Sequence, residues 1–467
     1  MKGMTPEALA GACQGRYVGP EAAANMEVIG VTIDSRKVEE GNLFIPIKGQ
    51  RFDGHDFIDQ VYEKGASLVL SEKELPGNSR PYIIVKSTRA AIRQIARYYR
   101  EALKVKVVGI SGSVGKTSTK EMIASVLGKK FKVLKTEGNF NNEIGLPLTI
   151  FRLTEEDRVA VLEMGISHFG DMDMLAEIAR PDVMVLTNIA ECHLENLQDR
   201  NGVLRAKTEV FKYMPEGGIV ILNGDDDKLV TVEEVNGKAP IFFGFGDNAK
   251  VRASKAEILG IEGSDCDICL GKECFHVHIG MPGRHMIYNA LAAATVGKVF
   301  GLSVSEIQKG IEEASTIPGR SHIIHKGGIT VIDDCYNANP QSMRAAIDLL
   351  SMAEGRKIAI LGDMFELGPD ELELHYDVGK YAVEKGIDYV ICVGERSEYM
   401  GKGARNAAEL LDSKAPNYCC KTIHMPNLDG MPDLVKSLLK DGDTVLVKAS
   451  HSMGFDRVIE MITGEEL

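Results

Sequence analysis

Short apolar runs alternate with longer amphipathic stretches along the chain, and the runs fall into three groups. In the first group, residues 43–47, 67–70 and 82–85 read as strands, and a helical stretch follows from about Thr88. Pro46 has no N–H for a sheet ladder, so the first of these runs is expected at a sheet edge or a bulge. The second group opens with residues 105–110, a mostly apolar run that leads into a glycine-rich turn and reads as a buried parallel strand. Beyond the turn, Met122, Ile123, Val126 and Leu127 share one face of a helix that starts near Lys116. Residues 159–162, 183–186 and 219–222 repeat the buried-strand pattern. Residues 329–332, 358–361, 390–393 and 445–447 form the third group, again with helical stretches between them. Buried strands separated by helices define an α/β fold. Domains of ~100–200 residues are usual, and the groups divide the chain into 1–103, 104–317 and 318–467. There is no internal repeat and no low-complexity tract.

Charge and cysteine content narrow the classes of function. Fifty-four lysines and arginines stand against 67 aspartates and glutamates, a formal net charge of −13. Such an acidic chain is a poor general nucleic-acid binder, because phosphate attraction favours a basic footprint. It still accommodates a phosphorylated ligand where a few cations converge. No segment has the ~20 apolar residues needed to cross a bilayer, and the N-terminus lacks the apolar core of a signal peptide. A cytoplasmic protein without membrane insertion is expected. Nine cysteines in so long a chain do not resemble a secreted disulfide framework.

The chemistry begins in the glycine-rich turn Gly112-Ser113-Val114-Gly115-Lys116-Thr117, followed by Ser118. Glycines let backbone N–H groups approach phosphates, and a helix N-terminus adds partial positive charge. In such a loop the lysine reaches the β- and γ-phosphates and the threonine hydroxyl meets Mg²⁺. The general pattern G-x-x-x-x-G-K-[ST] is not met in full, since Ile110 stands where the first glycine belongs and Gly109 comes one residue early. Glu163 ends the strand 159–162, where a carboxylate points into the crevice above a parallel sheet and suits the oxygen preference of Mg²⁺. His193 follows the next strand. Lys207, in a helical stretch, reads from the residues alone as a solvated lysine.

Together these segments resemble the Mur ligase family, over the whole chain. The similarity is carried by Asp34-Ser35-Arg36 and KGQRFDGHDF (48–57), by a phosphate loop of the shorter G-x-x-G-K-[ST] form, and by GNFNNEIGLP (138–147). It continues in GRHMIYNALAA (283–293), Gly319-Arg320, DDCYNANP (333–340) and GDMFELG (362–368). The resemblance implies a small N-terminal α/β domain for a UDP-sugar, a central phosphate-loop NTPase-like domain with a mainly parallel sheet, and a C-terminal Rossmann-like α/β domain that closes on ATP and the amino substrate. It implies a ligase that forms a peptide bond through an acyl phosphate, and the last two motifs point to the dipeptide-adding branch. UDP-N-acetylmuramoyl-tripeptide and D-alanyl-D-alanine are then the substrates, and a monomer is expected.

The same resemblance assigns roles by position. Lys116 binds phosphate, while Gly112 to Ser118, Asn289, Arg320 and Asp334 hold ATP. Thr117 and Glu163 hold one Mg²⁺; Glu163, His193 and a carbamylated Lys207 serve a second. Ser35, Arg36, Lys48, Asn139, Asn142, Asn337 and Asn339 contact the substrates. Met286 stands where the family usually has asparagine. Lys448-Ala449-Ser450-His451-Ser452 resembles a Lys-Gly-Ser-Arg-Ser segment, and His451 cannot reproduce the forked, always-charged arginine. A sister ligase adding a single amino acid, a phosphate-loop motor or switch, and a non-catalytic nucleotide binder remain as alternatives.

Two clusters have ordinary readings. Cys266, Cys269, Cys274, His276 and His278 match no common zinc spacing; the stretch 266–279 reads instead as a hairpin turning at Gly271-Lys272. Asp225-Asp226-Asp227 reads as a solvated acidic turn.

Overall fold

The protein's structure is a computed structural model that describes residues 1–49, 51–77, 79–412 and 420–464. Three sheets follow one another along the chain. The first orders its strands Arg16–Val18, Tyr82–Ile84, Leu68–Ser71, Asn42–Phe44 and Gly30–Thr32. All pair in parallel except Arg16–Val18. Asn42–Phe44 is paired on both sides, so the Pro46 run is an interior strand and neither the edge nor the bulge expected from its sequence. The last ladder bond there, Ile45 N–H to the Thr32 carbonyl at 2.9 Å, precedes the proline. No donor is lost.

Nine strands form the central sheet. Val133–Lys135, Val159–Glu163, Lys106–Ser111, Val183–Leu186, Ile219–Asn223, Ile241–Gly244 and Val251–Ile258 run in parallel. The antiparallel hairpin Ser264–Leu270 and Glu273–Ile279 closes one end. Val277 and Ile279 face the core, and His276 and His278 face out to pair with Asp267 and Asp265. Cys266 is buried, whereas Cys269 and Cys274 face each other across the turn and form a disulfide. This is one local staple, which the cysteine count did not suggest.

The third sheet orders His322–Lys326, Ile329–Asp333, Asp443–Lys448, Arg356–Gly362, Tyr389–Val393 and Lys421–Met425, parallel except for its first hairpin. The helix Thr88–Ala102 joins the first two sheets. It starts at Ser87, whose side chain accepts from the Ala90 N–H, an N-cap that satisfies one of the helix's free donors. Its buried face, Ala91, Ile92, Ile95, Ala96 and Tyr99, belongs to a single apolar cluster reaching from Leu43 and Ile83 to Leu162 and Met184. On the opposite face of the central sheet, Lys116–Leu127 packs on the alanine-rich helix His285–Val299. Among the described residues no helix is long and apolar enough to cross a membrane.

The triple aspartate is the solvated turn its sequence suggests, with Asp225 and Asp227 exposed and Asp226 half-buried, but it is also hydrogen-bonded. Asp225 accepts from the Phe245 and Gly246 N–H groups, and Asp226 from those of Ile189, Lys228 and Leu229. Asp227 pairs with Arg200. Two of the three therefore brace the loops after the central strands.

Candidate functional site

The C-terminal ends of the central strands and of the third sheet face each other across a cleft of about 450 Å³. Such strand ends are where open α/β sheets bind ligands. On the central side, Gly112 has φ 152° and Gly115 φ 84°. A Cβ on Gly112 would lie 1.9 Å from the Thr187 hydroxyl, so only glycine lets the chain turn this tightly. Asn188 braces the loop twice: its Oδ1 accepts from the Val114 N–H at 2.9 Å and its Nδ2 donates to the Val114 carbonyl at 3.0 Å. Gly115 then caps the helix Lys116–Leu127. Lys116 folds back and donates to the Gly112 carbonyl at 2.9 Å. Burial pushes its ammonium pKa down, against the opposing pull of Glu163. An arriving phosphate would offset that penalty.

Two buried oxygens beside the loop have no hydrogen-bond partner, Thr117 Oγ1 and Glu163 Oε2. The other Glu163 oxygen accepts from Asn141 Nδ2 at 2.9 Å. An unmet buried polar atom is costly, and one carboxylate with one hydroxyl beside bound phosphates is the usual cradle of Mg²⁺. The donor set fits that ion. Among the described residues no cluster of three or more acidic, histidine or cysteine side chains could hold a metal alone, so phosphate oxygens and water would complete the shell. Lys207 is 1% exposed, and burial lowers its pKa to about 8, with Lys116 adding to the shift and Cys192 opposing it. His193, in a left-handed conformation at φ 53°, bonds through Nδ1 to Glu366 of the C-terminal part, and this contact holds the Glu366 carboxyl below its ordinary range.

The facing wall comes from the third sheet. At Gly319, with φ 77°, a Cβ would come within 3.1 Å of Tyr336, and the next residue, Arg320, lays its guanidinium 3.8 Å from the centre of the Tyr336 ring. Asp334 accepts from the Ser321 N–H at 2.9 Å and from the ammonium of Lys448, which also donates to the Asn337 carbonyl at 2.8 Å. Asn339 caps the helix Pro340–Ser351.

Most of the residues singled out in the sequence converge on this cleft. Ser113, Val114, Gly115, Lys116, Ser118, Asn139, Asn142, Glu163, His193, Arg320, Asp334, Asn337 and Asn339 line it. Thr117 and Lys207 lie buried beneath the loop. Asn289 is below it too, outside the lining. Its Oδ1 accepts from Thr119 at 2.9 Å and its Nδ2 donates to Met286 Sδ at 3.2 Å, so Met286 serves as the partner that holds this amide. Ser35, Arg36 and Lys48 are on the first sheet's loops, away from the cleft. There Arg36 forks onto Asp34 at 2.8 and 2.9 Å and holds that carboxyl down at about 2. Gln50 of the same segment lies outside the described residues.

Sequence reasoning did not single out Asn141, Tyr336, Glu366 or Lys448 as site residues. All four sit inside or beside motifs already marked, but nothing in a run of three nearby asparagines says which one turns toward Glu163.

A strand, a glycine turn with lysine and threonine, a buried carboxylate on the neighbouring strand and a facing α/β lobe define a nucleotide-binding protein of the phosphate-loop class. Residues 27–100 match the Mur ligase family catalytic domain, 110–297 the Mur ligase middle domain, and 319–451 the Mur ligase glutamate ligase domain. The chain belongs to the Mur ligase family. It is 36% identical over 439 residues to the UDP-N-acetylmuramoyl-tripeptide–D-alanyl-D-alanine ligase of Bacillus subtilis (strain 168), covering 92% of each chain. Among solved structures it resembles MurF from Acinetobacter baumannii, with TM-score 0.88, 30% identity and 99% of each chain covered. It also resembles the MurF ligase of Thermotoga maritima in complex with ADP, with TM-score 0.81, 30% identity, and 93% and 96% coverage of this chain and that one.

Proposed function

We propose that the chain joins D-alanyl-D-alanine to UDP-N-acetylmuramoyl-tripeptide with the hydrolysis of ATP to ADP and phosphate, in the cytoplasmic assembly of peptidoglycan precursors. The observation that carries this reading is the two-walled cleft, with the phosphate loop and Glu163 on one side and Arg320 and Asp334 on the other. Near-full-length likeness to dipeptide-adding ligases supports the choice of acceptor.

A carboxylate is a poor electrophile until one oxygen becomes a leaving group. The terminal carboxylate of the tripeptide attacks the γ-phosphorus, the bond to the β-bridging oxygen breaks, and ADP leaves an acyl phosphate behind. The free amine of the dipeptide then attacks the acyl carbon, loses a proton, and expels inorganic phosphate. In phosphoryl transfer the dominant contribution is positioning and charge stabilisation. Lys116 neutralises the transferring group, Arg320 approaches it from the opposite wall, and the loop N–H groups hold the phosphates. Mg²⁺ held by Thr117 and Glu163 would add Lewis-acid charge, and a second ion would rest on Glu163, His193 and Lys207. The lowered pKa of Lys207 favours a carbamate there: at pH 7 roughly one amine in ten is neutral, ready to attack CO₂ and shed a proton. The three blocks 1–103, 104–317 and 318–467 would bind the UDP-sugar, bind ATP, and close on both.

Phosphate release with UDP-muramoyl-tripeptide, ATP and Mg²⁺ tests the reading. Release is expected only when D-alanyl-D-alanine is added; release that ignores the dipeptide overturns it, and dependence on a single amino acid instead identifies a sister ligase.

A further inference from the structure

Arg320 and His451 both pack on the Tyr336 ring. The Arg320 guanidinium lies 3.8 Å from the Tyr336 ring centre, and the His451 imidazole packs on the ring with centroids 5.1 Å apart and planes inclined by 31°. Arg320 faces the nucleotide cleft, whereas His451 lines a separate cavity of about 340 Å³ shared with Tyr336, Cys335 and Phe455. His451 is therefore outside the lining of the cleft that Arg320 faces.

Arg320 Nε is buried without a hydrogen-bond partner, and Tyr336 supports the guanidinium through both its ring face and its hydroxyl. The tyrosine is fixed at its root, where its N–H donates to the Gly319 carbonyl at 3.2 Å and a Cβ on residue 319 would come within 3.1 Å of its own. At the other end its hydroxyl meets the side chains of Arg320 and Asn139, while the ring also borders the second cavity. If the imidazole were gone, the ring would have room to tilt into the 340 Å³ cavity, and the stacked guanidinium would move with it. A planar aromatic group at position 451 removes that freedom. The flexible arginine found in the segment that 448–452 resembles offers a forked cation in place of an aromatic plate.

We infer that His451 is a positioning residue for nucleotide binding, which holds Tyr336 flat and so keeps Arg320 directed at the phosphates. This deepens the reading of the cleft as an ATP site but is independent of the acceptor, since it concerns nucleotide affinity alone. The imidazole then supports the ATP side of the cleft.

The test measures binding of a non-hydrolysable ATP analogue to the full chain, with Mg²⁺, by calorimetry. Aromatic and cation–π contacts of this kind are worth on the order of 2- to 10-fold in affinity. His451→Ala is expected to weaken binding by about that factor, and His451→Phe, which keeps the plate, to stay within about twofold of the unaltered chain. In an Arg320→Ala background, His451→Ala should add little further loss, because the two act through one ring. Thermal unfolding of each variant identifies any that fails to fold. Equal loss in the Ala and Phe variants overturns the proposal, as does full additivity with Arg320→Ala. A rise in KM for the dipeptide with unchanged analogue binding also overturns it, placing His451 on the amino substrate. Whether the dipeptide is the acceptor at all is read separately from phosphate release.

Discussion

The Thr187 hydroxyl closes over Gly112: it donates to the Val114 carbonyl at 2.6 Å and stands 1.9 Å from where a Cβ on Gly112 would be. This contact gives the shortened phosphate loop its shape. Thr187 follows the strand Val183–Leu186, which pairs directly with the strand leading into the loop. The loop is thus moulded against its neighbour as well as by its own glycines.

Replacing Gly112 with alanine should therefore force either the loop or Thr187 to move. Backbone strain of this kind costs on the order of 1–3 kcal/mol. Titration with ADP should show a loss of affinity of about tenfold or more from the displaced N–H groups. Retained affinity would mean that the loop tolerates a wider turn.

The unpartnered oxygens of Thr117 and Glu163 predict a strict metal requirement. Chelation with EDTA should abolish phosphate release, and added Mg²⁺ should restore it. Glu163→Gln keeps the shape but removes the charge, so half-maximal activity should need about tenfold more Mg²⁺. The unfolding temperature in EDTA should change little. An unchanged Mg²⁺ dependence would remove Glu163 from the cradle.

Lys207 predicts a trade of stability against activity. Its folded pKa is about 8, against the ordinary 10.5 of a free lysine. Between these values the unfolded chain binds the extra proton, so stability rises with pH across that window. The burden of the buried charge is full below pH 8 and gone above 10.5. In bicarbonate-free buffer at pH 7, Lys207→Met should raise the unfolding temperature while turnover collapses, and the stability gain should shrink from pH 8 upward. A melting point that does not depend on this substitution would mean the ammonium is solvated. Carbon-13 bicarbonate should label the unaltered chain with a carbamate resonance that the variant lacks.

Much of the site could be read from the chain because phosphate binding needs local pieces in a fixed order. Gly112 to Thr117 lie on six consecutive residues, and the buried strand before them is marked by its apolar run. Arg320 and Asp334 sit in short motifs whose order along the chain carries the likeness. The residues that escaped notice act across long separations. Glu366 reaches His193 from 173 positions away, and Lys448 reaches Asp334 from 114. No periodicity reports such a pairing.

Pro46 and the triple aspartate mark the same boundary from the other side. Local chemistry placed the proline at an edge or a bulge, yet the ladder ends one residue before it and the strand lies inside the sheet. Local charge placed Asp225 in solvent, where it stays, but gave no sign that backbone donors from other loops bond Asp225 and Asp226.

By itself the sequence determined the α/β character, the phosphate loop and the family to which the chain belongs, because these rest on side-chain alternation and on contiguous motifs. Tertiary structure alone decided which oxygens stay unpartnered in the cleft, that Asn289 meets Thr119 and Met286 beneath the loop, and that His451 packs on Tyr336. Each of these depends on which groups meet once sheets and helices pack, and the free energy of a buried polar atom is set by that meeting rather than by the residue's identity.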